Sequence, residues 1–239
     1  MNPKLPLLLA ATLLAVACQP KPDPEAQRAA REAAREQAAE VMAAQFDAAI
    51  DAQNWQLARA HGDVLIAEYP GSEAAERIQA QHADVKAKAE AASEARRTAA
   101  LWTYQSQPVD GGEQLSAAIH AKDRVDVDGS GPQPVRLIFR DHPDWGRSSY
   151  LVLQAGDFDC YGGCKVQVTV DDSEPRAMDA SRPDTDEAIA MFIEDERALW
   201  NLAKDADEIA IEFPVKVGGT RTVVYEVAGL DSNRLPAWN

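Results

Sequence analysis

The chain has 239 residues, and its 39 acidic residues outnumber its 24 lysines and arginines, which gives a net charge of −15 at pH 7. This balance disfavours nucleic acid and anionic lipid surfaces as partners, because both are bound through cationic side chains. It is compatible with simple solubility or with a basic protein partner. The length suggests one or two domains.

The first 17 residues follow the pattern of a secretory signal peptide. Lys4 precedes an apolar core from Leu5 to Val16, and small residues lead into Cys18. The core is about a dozen residues long, which is too short for the roughly 20 residues of a membrane-spanning helix. Removal of residues 1–17 takes away one base and no acid, so the mature chain has 23 bases, 39 acids and a net charge of −16.

The end of this segment, Ala15-Val16-Ala17-Cys18, resembles the lipobox of bacterial lipoproteins. In that family the cysteine is lipidated and becomes the new N-terminus, so the resemblance implies lipid attachment at Cys18. The family's sorting pattern uses Asp after the cysteine for inner-membrane retention, and Gln19 therefore implies the outer membrane. Its three acyl chains imply a permanent tether, since stable anchoring takes at least two membrane-binding signals. The expected body is a soluble unit in the periplasm.

An alanine-rich region follows a short proline stalk at residues 18–24. Alternate prolines favour an extended, semi-rigid spacer, whereas alanine is the strongest helix former. The next region, 25–98, contains a single proline, Pro70. We predict three helices there, at roughly 25–53, 55–68 and 72–98. Asn54 is the expected N-cap of the second helix.

The middle of the helical region resembles a tetratricopeptide repeat. The resemblance runs from Trp55 to Ala74 and includes Ala58, Leu65 and the turn Glu68-Tyr69-Pro70-Gly71-Ser72. Outer-membrane assembly lipoproteins carry similar turns. The match is confined to one repeat, which has about 34 residues in that family, whereas solenoids need about three repeats for stability. The sequence leaves open both a repeat-like region and an alanine-rich hairpin or coiled coil.

Residues 99–239 are predicted to form an α+β domain with a mostly antiparallel sheet. Valine, threonine and aromatic residues become more frequent, and apolar residues alternate with polar ones, as is typical of half-buried strands. Strands are predicted around 135–140, 150–154, 166–170, 209–217 and 223–227, with a hairpin turn at Gly218-Gly219. One amphipathic helix is predicted at 185–204, with Asp184 as its cap and Glu187 completing a capping box.

The same region is similar to uncharacterised bacterial envelope proteins, among them periplasmic proteins associated with secretion, including type VI accessory proteins. The matching residues are Trp102, Arg136–Arg140, Phe158–Cys160, Cys164–Val166, Val170–Asp172 and Val227–Leu230. The similarity covers about 130 residues. It implies a fold and a compartment, and no catalytic residue comes with it.

Cys160 and Cys164 are the candidate disulfide. With Cys18 used for lipid, they form an even pair in an oxidising compartment. Three residues separate them, whereas a thioredoxin-type redox pair has two. Gly162 and Gly163 allow the tight turn that the bond needs. We therefore predict a structural disulfide.

Residues 126–131 resemble the start of a calcium loop. Asp126, Asp128 and Ser130 place oxygens at positions 1, 3 and 5, and Gly131 stands at position 6. Position 12 should be a bidentate glutamate, but Leu137 stands there. A turn at a strand end explains the same residues. We predict the turn, assign no metal, cofactor or small-molecule substrate, and keep calcium as the open alternative.

The predicted function is that of a non-catalytic adaptor or scaffold that binds another envelope protein. Ser148 and Ser149 follow Asp141 and His142, yet proximity in sequence does not make a catalytic triad. One alternative is a periplasmic inhibitor or immunity protein against a basic toxin or lysozyme-like enzyme, which the charge of −16 suits. A second is an envelope enzyme, whose site would show as a polar pocket containing a perturbed ionisable group.

Overall fold

The computed structural model describes residues 23–184 and 189–239. The predicted signal peptide, Cys18 and most of the predicted stalk lie outside these residues. The described residues confirm an α+β fold, with helices first and an antiparallel sheet after them. The chain divides into two compact units, one ending at Ala87 and the other running from Lys88 to Asn239. Among the described residues, no helix combines the length and apolar character that crossing a bilayer requires.

Three helices lie within two residues of their predicted positions. They are α1 (Pro24–Asp51), α2 (Trp55–Glu68) and α3 (Glu73–Ala99). Asn54 caps α2 as predicted, because its Oδ1 accepts the Leu57 N–H at 3.2 Å. Ser72 accepts the Ala75 N–H at the start of α3 in the same way, at 3.1 Å.

The first unit has a core made largely of alanine. Helices with such small side chains must lie close together to bury them. Gly62 of α2 allows this close approach, because a Cβ at that position would lie 2.4 Å from the His82 ring and 3.0 Å from the Phe46 ring. His82 Nε2 lies 3.0 Å from Asp63 Oδ1. The buried apolar residues are Ala39, Ala43, Phe46, Ala49, Ala58, Leu65, Ala74, Ala75, Ile78 and Val85.

The second unit contains a nine-stranded antiparallel sheet of order β1-β2-β3-β4-β7-β6-β5-β8-β9. The strands are β1 (Trp102–Val109), β2 (Gly112–His120), β3 (Arg136–His142), β4 (Gly146–Val152), β5 (Cys164–Val170), β6 (Arg176–Ser181), β7 (Ala190–Ile193), β8 (Glu208–Pro214) and β9 (Thr220–Glu226). The five predicted strands correspond to β3, β4, β5, β8 and β9. Gly218 and Gly219 lie in the turn between β8 and β9, although β8 ends at Pro214, earlier than predicted.

The prediction of one helix over 185–204 is wrong at its N-terminal end. The helix, α4, spans Glu196–Asp205 and is capped by Asp195, whose Oδ1 accepts the Ala198 N–H at 3.0 Å. Asp184 therefore does not cap it, and Glu187 lies outside the described residues. Residues 190–193 form β7 because they pair with 149–152 of β4, which gives both strands backbone hydrogen bonds that a helix would withhold from β4.

One hydrophobic core joins the inner face of the whole sheet to α4 and the C-terminal residues. Its centre is Phe139, whose ring lies 6.2 Å from Trp102, 5.1 Å from Trp200 and 5.4 Å from Trp238, measured between centroids. Such aromatic pairs add stability beyond the area that they bury. The last strand, β9, is partly covered at its edge, because the Lys122 N–H donates to a β9 carbonyl at 2.7 Å.

Candidate functional site

The outward side of the sheet carries a group of aromatic and cationic side chains. Successive residues of a strand point to opposite faces, and Leu137 and Phe139 of β3 are fully buried in the core. Their neighbours therefore point outward, and the strand register places Tyr150 beside Ile138 and Phe192 beside Tyr150. We call this surface the cationic aromatic face; it consists of Arg136, Ile138, Arg140, His142, Trp145, Tyr150 and Phe192.

Trp145 is the most exposed member of this face. It lies in the connection between β3 and β4, and 69% of its surface is accessible. Its ring stacks on His142 with the centroids 4.0 Å apart and the planes 14° apart. His142 Nδ1 accepts the N–H groups of Asp144 and Trp145, at 3.1 and 3.4 Å, which orients the imidazole and the turn together. The indole is thus held in place while most of it remains exposed.

Arg140 lies between two of the aromatic rings. Its guanidinium carbon is 5.4 Å from the ring centroids of both Trp145 and Tyr150, within the range of cation–π attraction. Its Nε donates to Ser148 Oγ at 3.2 Å. The Tyr150 ring in turn lies 5.2 Å from that of Phe192. These contacts orient the guanidinium and leave its terminal N–H groups available to donate to a ligand's oxygen atoms.

The two arginines of this face have no carboxylate partner in the part of the chain that the structure describes. No described carboxylate oxygen comes within 4.0 Å of the Arg136 or Arg140 guanidinium. Arg136 Nε is buried and lacks a hydrogen-bond acceptor among the same residues. A buried donor without an acceptor is costly, so Arg136 is an unusual feature that calls for an explanation.

The outward-pointing residues of strands β1–β4 include no acid. Among the residues of the described strands β1–β4 that point outward, none is Asp or Glu, in a chain with 39 acids. His120 lies opposite Arg136, and its pKa is lowered by burial and by that positive charge, which keeps it mostly neutral at pH 7. The outward residues are Thr103, Gln105, Gln107, Val109, Gly112, Gln114, Ser116, Ala118, His120, Arg136, Ile138, Arg140, His142, Gly146, Ser148, Tyr150 and Val152. The outward residues of β1–β4 therefore carry cations without acids, and two acids beyond β4, Glu194 just after β7 and Asp179 of β6, bond to Ser181 and Lys165.

Cys160 and Cys164 are joined by a disulfide, with their Cα atoms 5.0 Å apart. Gly162 and Gly163 have φ angles of 76° and 102°, which residues other than glycine rarely adopt. Tyr161, between the cysteines, is 71% exposed. The bond closes the loop that leads into β5.

The acidic loop at residues 126–131 forms a turn. Asp126 Oδ1 accepts the N–H groups of Asp128 and Gly129, at 3.3 and 2.7 Å, and Asp128 Oδ1 accepts the Ser130 N–H at 2.9 Å. Hydrogen bonds from Ser130 lower the pKa of Asp128. Among the described residues, no group of three His, Cys, Asp or Glu side chains is arranged to hold a metal ion.

Ser148, Ser149 and His142 do not form a nucleophile–base pair in this arrangement. Ser148 Oγ accepts from Arg140, and the Ser149 hydroxyl donates to the Ile193 carbonyl at 3.4 Å. His142 Nδ1 is occupied by backbone N–H groups.

A polar pocket of about 380 Å³ within the second unit contains Glu94, Arg97, Glu208 and Glu226. Arg97 Nη2 lies 2.6 Å from Glu94 and 2.5 Å from Glu226. These pairs lower the pKa of both glutamates. A general acid at neutral pH needs a raised carboxyl pKa, so the perturbed groups here are better explained as ion pairs that attach the end of α3 to β9.

Comparison of the chain with protein-family models, with curated proteins and with solved structures finds no match in any of the three.

Sequence reasoning missed the cationic aromatic face. It placed Arg136 and Arg140 in a strand and Phe192 in a helix, and it gave Trp145 no role. One signal was available: two arginines alternate with the core residues of β3, so both must lie on one outward face. The Pro-Asp-Trp-Gly turn then brings a tryptophan to the end of the same strand.

Proposed function

We propose that this protein is a lipoprotein anchored in the outer membrane, facing the periplasm, and that it acts as a non-catalytic protein-binding adaptor. We further propose that the cationic aromatic face is its protein-binding surface. The observation that carries this proposal is an exposed Trp145 held by His142 beside two arginines that pair with no carboxylate among residues 23–184 and 189–239. Tryptophan, tyrosine and arginine are the residues most enriched at interface hot spots.

The exposure of Trp145 supports a macromolecular partner. Small-molecule sites are concave and bury most of their ligand. Trp145 is 69% exposed on a hairpin connection, where a partner can approach it from solvent, whereas Ile138 and His142 are more than nine-tenths buried. The polar neighbours of the cationic aromatic face, such as Gln105, Ser116 and Ser148, fit the hydrophilic rim that surrounds the core of a protein interface.

Support for the anchor comes from residues 15–18 and from the proline stalk that follows them. Labelling of cells with radioactive palmitate tests it. Wild-type protein should incorporate the label and fractionate with the outer membrane, whereas a Cys18→Ala variant should do neither. Recovery of unlabelled wild-type protein in the cytosol would contradict the proposed lipid anchor.

Photo-crosslinking in intact envelopes tests the binding surface. A photoreactive residue at Ser116, beside the face, should yield a defined protein adduct, and the same residue at Thr222 on the outward side of β9 provides the control position. Trp145→Ala should abolish the adduct. The matched control is Tyr161→Ala, since Tyr161 is equally exposed but lies outside the face. An adduct of equal yield in both variants would refute the proposal.

A periplasmic inhibitor of a basic enzyme is the second candidate, and the net charge of −15 favours it. The acids lie elsewhere than on the outward side of β1–β4, so a basic enzyme would bind a different surface. Inhibition of a basic lysozyme that weakens with added salt and is unaffected by Trp145→Ala would favour the inhibitor over the adaptor.

A further inference from the structure

We infer that the cationic aromatic face binds an extended, acidic segment of its partner, with two carboxylates that flank one apolar side chain. This inference rests on the proposed function and specifies the partner's chemistry. It follows from the spacing of the arginines, from the apolar strip between them and from the distribution of charge around them.

The arginines set the spacing of the two carboxylates. Arg136 and Arg140 are four residues apart on β3 and point to the same side of it, so their Cα atoms are about 13 Å apart at the usual rise of a strand. A guanidinium binds a carboxylate with two parallel hydrogen bonds. An arriving carboxylate would also bring oxygen atoms to the part of the surface where the buried Arg136 Nε lacks an acceptor.

An apolar strip separates the arginines. Ile138 lies midway between them on β3 and is only 9% exposed, and the register continues the row to the half-buried Tyr150 and Phe192. In an extended segment, residues i, i+2 and i+4 share one face with the same spacing as on β3. A segment of the form acidic-x-apolar-x-acidic therefore places its apolar side chain against Tyr150, at the level of Ile138, when its acids reach the two arginines.

Charge explains why such a segment would bind here and not elsewhere. The outward side of β1–β4 carries cations and no acid, while the whole chain has a net charge of −15. An acidic segment is therefore repelled by most of the molecule and attracted by this face. Fixed spacing and an apolar centre favour a peptide over an anionic lipid surface, whose charges are mobile.

The test uses the whole mature chain and short synthetic peptides, with calorimetric titration as the readout. The probe peptide contains Glu-Thr-Leu-Thr-Glu. One control peptide has lysine in place of both glutamates, and a second has one further threonine between the leucine and the second glutamate. We expect binding of the probe alone. Arg136→Gln and Arg140→Gln should each weaken it about tenfold, and Arg140→Lys should lose less. Arg176→Gln, an exposed arginine on β6, should leave it unchanged.

The inference would be overturned if the chain bound the two glutamate spacings with equal affinity. It would also be overturned if both glutamine variants had native-like circular dichroism spectra and bound the probe with unchanged affinity. Binding to phosphatidylglycerol vesicles that depends on the same two arginines and exceeds binding to the peptide would overturn it as well. The crosslinking experiment separates this failure from that of the proposed function. If the envelope adduct requires Trp145 but neither arginine, the adaptor proposal stands and the acidic segment is rejected. If the adduct requires none of the three residues, both proposals are rejected.

Discussion

Gly229 should be one of the positions least tolerant of substitution in the second unit. It follows β9 and lies directly against the end of α3. A Cβ at this position would be 2.2 Å from both Ala99 N and Thr98 C, where ordinary contact begins at 3.4 Å. The two backbones would have to separate by about 1.2 Å, and no side-chain rotation can relieve a clash between a Cβ and helix backbone. Gly229→Ala should therefore separate the end of α3 from the sheet.

The expected cost of Gly229→Ala is about 2–3 kcal/mol, the upper range for overpacking. For a domain of this size, that corresponds to a Tm lower by about 5–10 °C. Thermal unfolding followed by circular dichroism measures the loss, and hydrogen exchange should show faster opening of residues 88–99. The neighbouring exposed position provides a control, Ala228→Ser, which should stay within about 0.5 kcal/mol of wild type. If the two variants were equally stable, the close packing of Gly229 on the helix would be wrong.

Three further predictions concern covalent and ionic contacts in the second unit. Cys160→Ala, which cannot form the disulfide, should lower the free energy of unfolding by about 2 kcal/mol, and reducing agent should then have no further effect. Asp157→Asn removes the carboxylate that lies 2.8 Å from the almost fully buried Arg182 but keeps its other partners, so denaturant titration should show a loss of about 1.5–3 kcal/mol; a stability equal to wild type would contradict the pairing. Arg97 lowers the pKa of Glu226 below 4.5, so the stabilisation from this pair is present above pH 4.5 and lost as the pH falls below it. Glu226→Gln should reduce stability at neutral pH by about 1 kcal/mol or less, and its stability should fall less steeply in acid than that of wild type.

The helices were predictable because their signals are local. Alanine content, the Asn54 cap and the single turn at Pro70 define where α1, α2 and α3 begin and end. β3 was similarly evident, since its apolar residues alternate and face the core. β1 was not, because Tyr-Gln-Ser-Gln-Pro at the edge of the sheet has hardly any hydrophobic alternation.

β7 and the cationic aromatic face depend on contacts that local patterns do not specify. The four residues Ala190–Ile193 fit a helical stripe as well as a strand, and pairing with β4 decides between them. Tyr150 and Phe192 become neighbours only through that pairing, although 42 positions separate them in the chain. The register between strands, and not the sequence within any one of them, therefore creates the proposed binding surface.

Hydroxyl-radical footprinting of living cells tests the central claim most directly. Trp145 and Tyr161 have almost the same exposure, 69% and 71%, so Tyr161 is a matched reference for Trp145. For each residue, the quantity measured is the ratio of its labelling in cells to its labelling in the purified chain. If the cationic aromatic face holds a protein partner in the envelope, this ratio should fall severalfold for Trp145 and stay near that of the unbound protein for Tyr161. Equal ratios for the two residues would show that Trp145 remains exposed in the cell, which contradicts its role in binding.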